Sequence, residues 1–208
     1  MAEKGLLIAF EGIDGTGKST QIQLLAAALR RCGFDVLTTR EPTDGQYGRR
    51  IRELYRNRNS VTPGEELALF HEDRREHVRE VIAPALAAGR IVLTDRYYFS
   101  TAAYQGATGH DPAGIIAENE RFAPRPDLVI ILEVPVSLGV HRVRDLRGET
   151  LNDFEQEDVL TRVAEIFAGL RGNHIRRVDG SGAAETVHAL VMAQVAPLLA
   201  DTTERTRP

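Results

Sequence analysis

Gly12-Ile13-Asp14-Gly15-Thr16-Gly17-Lys18-Ser19-Thr20 follows the apolar run Leu6-Leu7-Ile8-Ala9-Phe10, with Glu11 between them. The spacing satisfies G-x-x-x-x-G-K-[ST] in a strand-loop-helix setting, because the next segment, Ser19–Arg31, has helical apolar spacing. Glycines let such a loop approach an anion closely. The backbone N–H groups and the helix N-terminus behind it then converge on phosphate oxygens. Lys18 is expected to reach the terminal phosphates of a nucleoside triphosphate, and Ser19 to offer its hydroxyl to Mg²⁺.

Working outward, apolar runs alternate with amphipathic segments along the rest of the chain. The runs are 6–10, 34–39, 91–94, 128–132 and 174–178. Helical spacing is found near 19–31, 48–57, 65–88, 100–107, 111–121, 135–144, 155–170 and 183–199. This alternation predicts an α/β fold with a five-stranded parallel sheet flanked by helices. Pro63 suits the start of the long helix, and Pro84 is expected to kink or end it. The 208 residues read as a single domain over 1–200 with a polar, frayed tail at 201–208.

Composition narrows the class. With 42% hydrophobic and 27% charged residues, the chain is neither collagen-like, coiled-coil nor disordered. Its one cysteine, Cys32, cannot make an intrachain disulfide, which points to a reducing compartment, and the N-terminal apolar run is too short for a signal peptide. Cytoplasm is the expected location. A net charge of -4 argues against a general nucleic-acid or membrane binder, so an anionic ligand needs a local basic site. Of 26 positive residues only Lys4 and Lys18 are lysine. The arginine excess fits a codon bias, and the informative point is that lysine stands in the loop.

A second anion site is expected where the third strand delivers Asp95-Arg96-Tyr97 to the carboxyl edge of the sheet. Asp95 can hold Mg²⁺ through water and Arg96 can grip a phosphate with two donors. On the long helix Phe70 and Arg74 are four apart and share a face, able to cover a base and bond its edge. Arg142, Arg144 and Arg147 cluster beside Gly148, either as a solvated face or as a lid over a transferring phosphoryl group. A switch GTPase is excluded: the Asp-x-x-Gly matches at 111–114 and 145–148 do not end a buried strand, and no lysine is left for a guanine-reading Asn-Lys-x-Asp.

Taken together, these residues resemble the thymidylate kinase family along essentially the whole chain. The segment 10–20 is similar to that family's phosphate loop, 39–42 to the segment after its second strand, and 69–74 to its base-binding helix. Its most diagnostic stretch is matched by Asp95-Arg96-Tyr97, Ser100 and Ala103-Tyr104-Gln105-Gly106. The resemblance implies a P-loop NTPase fold of the nucleoside monophosphate kinase type, with a lid at about 142–153. It implies transfer of a phosphoryl group from ATP to dTMP with Mg²⁺. ATP would be held by Gly12, Ile13, Asp14, Gly15, Thr16, Gly17, Lys18, Ser19 and Thr20, and the metal by Ser19 and Asp95. The acceptor would be held by Arg40, Phe70, Arg74, Arg96, Ser100, Thr101, Tyr104 and Gln105, with a tyrosine of the 95–106 stretch against its sugar. Catalysis would fall to Lys18, Asp14, Arg96, Arg142, Arg144 and Arg147, because Gly15 stands where another form of the family carries an arginine. A homodimer is also implied.

Three departures stand out. Asn152-Asp153-Phe154-Glu155 puts an acid where Asp-Arg-Phe-Glu is usual, Thr43-Asp44-Gly45 replaces two glycines and a threonine, and Glu133 replaces an aspartate. Two alternatives therefore stand beside the main reading. One is a deoxynucleoside kinase on a related fold, with Glu41 as the base that deprotonates a 5′-hydroxyl. The other is a nucleotide-binding relative weakened by Asp153.

Overall fold

The structure, a computed structural model, describes residues 5–55, 60–147 and 157–204. Five parallel strands, β1 (Leu6–Glu11), β2 (Val36–Arg40), β3 (Ile91–Asp95), β4 (Leu128–Glu133) and β5 (Ile175–Asp179), pair in the order β2-β3-β1-β4-β5. Side chains alternate across the pleat, so each strand feeds two cores. Leu7, Ala9, Val92, Val129 and Ile131 form one face, with Tyr97, Leu160 and Phe167 packed against it. Ile8, Phe10, Leu93, Ile130 and Leu132 form the other, under Leu25, Leu29, Val191 and Val195. Burial on both faces explains why the three central strands, β3, β1 and β4, read as continuous apolar runs rather than as an alternation.

Every strand ends one residue beyond its apolar run, on Glu11, Arg40, Asp95, Glu133 and Asp179. The ladder hydrogen bonds are indifferent to side-chain polarity, so the strands continue into residues that pattern reading assigns to loops. This carboxyl edge is where charged groups collect. Arg40 pairs in register with Asp95, and Asp95 with Phe10.

The helices among the described residues are α1 (Lys18–Arg31), α2 (Gln46–Leu54), α3 (Pro63–His77), α4 (Ala83–Ala87), α5 (Tyr98–Gly106), α6 (Pro112–Asn119), α7 (Val136–Arg147), α8 (Glu157–Gly169) and α9 (Ala184–Glu204). Pro63 does open α3, where Thr62 and Glu65 form a reciprocal cap. Pro84 does not end the long helix. A π-turn at Val78–Ile82 carries the chain from α3 into α4, absorbing the hydrogen bond that proline cannot make. Helix α9 runs through the first four residues of the polar tail. No helix among the described residues is long and apolar enough to cross a membrane.

Candidate active site

The loop at 12–17 turns through positive φ at Gly12, Gly15 and Gly17, with φ of 129°, 78° and 90°. A Cβ at Gly12 would lie 2.4 Å from the Leu132 carbonyl oxygen, and one at Gly15 would lie 2.2 Å from that of Gly139. An arginine at position 15 is thus incompatible with this loop, so any catalytic arginine must come from elsewhere. Helix α1 starts at Lys18 behind Gly17. The Lys18 ammonium turns back into the loop and donates to the carbonyls of Gly12 (3.1 Å) and Ile13 (2.8 Å). Burial, seconded by the Arg96 charge, pushes its pKa down to about 8, against the opposing pull of Asp14, Asp95 and Glu11. Thr16 donates its hydroxyl to the Ile13 carbonyl at 3.0 Å, while Ser19 and Thr20 are exposed. Ser19 Oγ donates to Asp95 Oδ2 at 2.5 Å, so the two oxygen groups expected to share a metal are neighbours.

Arg96 follows β3 in the left-handed region, at φ 70°, the one non-glycine residue to do so among the described residues. Such a backbone costs on the order of 1 kcal/mol or more and persists where the surroundings fix it. Here the guanidinium is fixed on three sides. Nη2 donates to Asp14 Oδ1 at 2.7 Å, and Nη1 to the Gly12 carbonyl (3.2 Å) and to Ser100 Oγ (3.0 Å). Tyr104 donates its hydroxyl to the second Asp14 oxygen at 2.7 Å. Burial alone would raise the Asp14 pKa, but the Arg96 and Lys18 charges and these hydrogen bonds hold it well below the usual carboxylate range.

The tyrosine at this cluster is Tyr104, while Tyr97 lies apart from it. Helix α5 starts at Tyr98, two residues earlier than the spacing suggests, so Tyr97 is its N-cap. Its ring is fully buried against Tyr98, and its hydroxyl donates to the Pro124 carbonyl at 3.2 Å. Glu11, which sequence reasoning passed over, sits beneath this turn. It accepts the Tyr97 N–H (2.9 Å) and Ser100 N–H (3.2 Å) as well as the Ser100 hydroxyl. Complete burial pushes its pKa up to about 7, despite the hydrogen bonds from Ser100 and the Arg96 charge.

Arg40 is exposed at the end of β2 and makes a two-bond pair with Asp44, at 2.8 and 3.1 Å. Arg52 of α2 reaches the same carboxylate at 3.1 Å and the Pro42 carbonyl at 3.1 Å. A cavity of about 530 Å³ is lined by Asp14, Lys18, Arg40, Arg52, Arg96 and Arg142, with Glu41 and Asp95 also on its wall. Five cations thus face three acids in a chain whose net charge is -4. Arg52 is a second residue the sequence reading missed; the available signal is its place on the amphipathic segment 48–57, the first to follow Arg40.

Arg74 is 2% exposed and ion-paired rather than free. It donates from Nε (2.9 Å) and Nη2 (2.5 Å) to Glu41 Oε2, from Nη2 to Thr101 Oγ1 (3.0 Å) and from Nη1 to Asn119 Oδ1 (2.7 Å). Four of the five guanidinium N–H groups are therefore engaged, leaving one on Nη1. The other Glu41 oxygen meets His77 Nδ1 at 3.0 Å, and His77 Nε2 meets Thr39 Oγ1 at 2.7 Å. Burial opposes it, but the Arg74 charge and the His77 contacts hold the Glu41 pKa below its ordinary value. A carboxylate with both oxygens occupied and its proton affinity lowered is poorly suited to deprotonate a hydroxyl, so the alternative base role for Glu41 gains no support. Phe70, one turn before Arg74, is half-buried, and Gln105 is fully buried with Nε2 donating to Glu66 Oε1 at 2.6 Å.

Arg142 is not on a loop. It projects from α7 and donates to the carbonyls of Gly180 (2.9 Å), Ser181 (3.0 Å) and Gly15 (3.3 Å), tying the phosphate loop to the turn after β5. Arg144 is exposed on the same helix. The Arg147 side chain, Gly148, Asp153 and the remainder of the expected lid lie outside the described residues.

A family model described as thymidylate kinase matches residues 10–191 of this chain. The thymidylate kinase of Desulfotalea psychrophila is 51% identical over 195 residues, covering 94% of this chain and 96% of its own. That of Akkermansia muciniphila is 49% identical over 189 residues, 90% of each chain. That of Xanthomonas campestris pv. campestris is 44% identical over 201 residues, 94% of this chain and 86% of its own.

Proposed function

The chain belongs to the thymidylate kinase family, and from that membership we propose that it phosphorylates dTMP to dTDP with ATP as donor. The observation that carries this reading is the cavity in which the Lys18 loop and Arg96 meet, one basic site for each phosphate-bearing substrate. Transfer between two anions is limited by repulsion and positioning. A phosphate monoester oxygen is already ionised near neutral pH, so no general base is needed. That agrees with the two ion-paired carboxylates of the cavity wall, Asp14 and Glu41, which are held ionised rather than poised to take a proton.

In this reading the loop N–H groups and Lys18 hold the β- and γ-phosphates, and Arg96, with Arg40 and Arg52, holds the acceptor phosphate. Asp14 and Tyr104 fix the Arg96 fork and border the sugar. Phe70 lies on the thymine ring, with the remaining Arg74 N–H and Gln105 at its edge, while Thr101 and Ser100 steady the two arginines. Arg142 braces the phosphate loop on its far side, and we keep Arg144 and Arg147 as candidates to close on the phosphoryl group. The neighbouring Ser19 hydroxyl and Asp95 carboxylate are hard oxygen donors of the kind Mg²⁺ takes, and the described residues hold no cluster of three or more protein ligands that would cage it. Ser19 and Asp95 would hold Mg²⁺ there, and the ion would supply positive charge that offsets the charge of the phosphates. A cytoplasmic homodimer completes the proposal. Mass measurement in solution by light scattering tests the dimer.

The direct test is dTDP formation by the purified protein across thymidine, dTMP, dUMP and dCMP with Mg²⁺-ATP. We expect dTMP to be the preferred acceptor; turnover stimulated by thymidine but not by dTMP would overturn the reading. The pH dependence follows from Lys18. Only its protonated form carries the charge that meets phosphate, and its pKa in the free protein is about 8. In the pH profile of kcat/KM for ATP, which reports free-enzyme groups, we expect a decline above about pH 8, where an ordinary lysine would hold the plateau to beyond 10.

A further inference from the structure

We propose that Glu66 is a positioning residue that fixes the direction of the Gln105 amide and so makes the base site demand a ring N–H donor. The inference rests on the placement of the dTMP base against Phe70, Arg74 and Gln105.

Glu66 and Gln105 are 3% and 0% exposed, and Gln105 Nε2 donates to Glu66 Oε1 at 2.6 Å. A carboxylate accepts and has no proton to give, whereas the two ends of an amide differ, one donating and the other accepting. Glu66 therefore commits the amino end of Gln105 to itself and turns Oε1 away. That oxygen is buried and has no hydrogen-bond partner among the described residues. Buried polar atoms in native proteins are seldom left so, and an acceptor kept unspent between the two helices that carry the proposed base contacts is suited to a donor on the base.

The place of the pair fits this role. Glu66 lies one turn before Phe70 and two turns before Arg74 on α3, and Gln105 lies one turn after Thr101 on α5. Thr101 accepts from Arg74, so the two helix faces that carry the proposed base contacts also carry Glu66 and Gln105. Arg74 is fixed in the same manner, because Glu41, Asn119 and Thr101 take four of its N–H groups and leave one donor. One fixed donor and one fixed acceptor match the thymine edge, a carbonyl beside N3–H. Cytosine offers the reverse, an amino group beside a bare N3, and meets both groups with like polarity.

The test is Glu66→Gln, nearly isosteric but able to donate or accept, so that Gln105 can turn either way. The readout is the ratio of kcat/KM for dTMP to that for dCMP. We expect the ratio to fall about tenfold or more, with dTMP losing rate and dCMP gaining it. Gln105→Leu provides the second arm: it removes the acceptor, the ratio falls through loss of dTMP alone, and adding Glu66→Gln to it leaves the ratio unchanged. An unchanged ratio in Glu66→Gln, with both substrates slowed alike, overturns the proposal. Should Glu66→Gln not fold, an unchanged ratio in Gln105→Leu overturns it instead. If the parent protein forms no dTDP, the functional reading itself has failed, which is a distinct result.

Discussion

Arg96→Lys lowers kcat/KM for dTMP phosphorylation by about 10³-fold, at the lower end of what one arginine contributes to phosphoryl transfer. The substitution keeps a positive charge beside Asp14, so the fold is expected to hold. What it removes is the planar fork. Arg96 presents Nη2 to Asp14 at 2.7 Å and to the Tyr104 hydroxyl at 3.4 Å, and Nη1 to the Gly12 carbonyl and Ser100, which leaves Nε–H unspent among the described residues and fixes where the charge stands on the cavity wall. A lysine ammonium in its place is a mobile point charge, able to pair with Asp14 or with phosphate but without the rigid plane that lets one cation be held by Asp14, Gly12 and Ser100 and still face the second. The loss should fall on kcat as well as KM, because charge on the acceptor and transferring groups is redistributed in the transition state. Initial rates at varied dTMP, with thermal melting as the fold control, check this. A loss below tenfold with the fold intact would sink the assignment of Arg96 to the acceptor phosphate.

The phosphate loop was legible because its chemistry is local: nine consecutive residues carry the turn, the cation and the hydroxyl. The three central strands were legible for a similar reason, since burial on both faces writes an apolar run at each. The charged residue that ends each strand was not, because backbone pairing leaves no mark on side-chain type. Helix phase was the next limit. Starting α5 at Tyr98 instead of Ser100 makes Tyr97 a buried cap and leaves Tyr104 as the tyrosine of the Asp14–Arg96 cluster. Arg74 shows the deepest limit. Its burial in an apolar stripe signals that a partner exists, but Glu41 stands 33 positions away at a sheet edge, and nothing in local spacing links the two.

That pair sets the second large effect, on stability. Arg74→Leu is expected to destabilise the protein by about 3–5 kcal/mol, because it leaves Glu41 buried and charged with His77 as its remaining partner. For a chain of this size that lowers Tm by about 6–20 °C. Removing both charges, as in Glu41→Leu with Arg74→Leu, should recover much of the loss, since the larger part of the cost is the orphaned carboxylate and not the missing attraction. The pH dependence separates this from a simple packing defect. In the parent the Glu41 pKa lies below its ordinary 4.5, so the pair contributes stability above about pH 4.5 that is lost as pH falls through the folded value. In Arg74→Leu the charge that lowered the pKa is gone and burial raises it, so the sign reverses and protonating Glu41 now relieves the penalty. Melting curves between about pH 4 and pH 8 should therefore show the gap between parent and variant narrowing toward acid. A gap that stays constant across that range would show that Arg74 acts through its bulk, and the account of a buried pair held in place by Glu41 would be wrong.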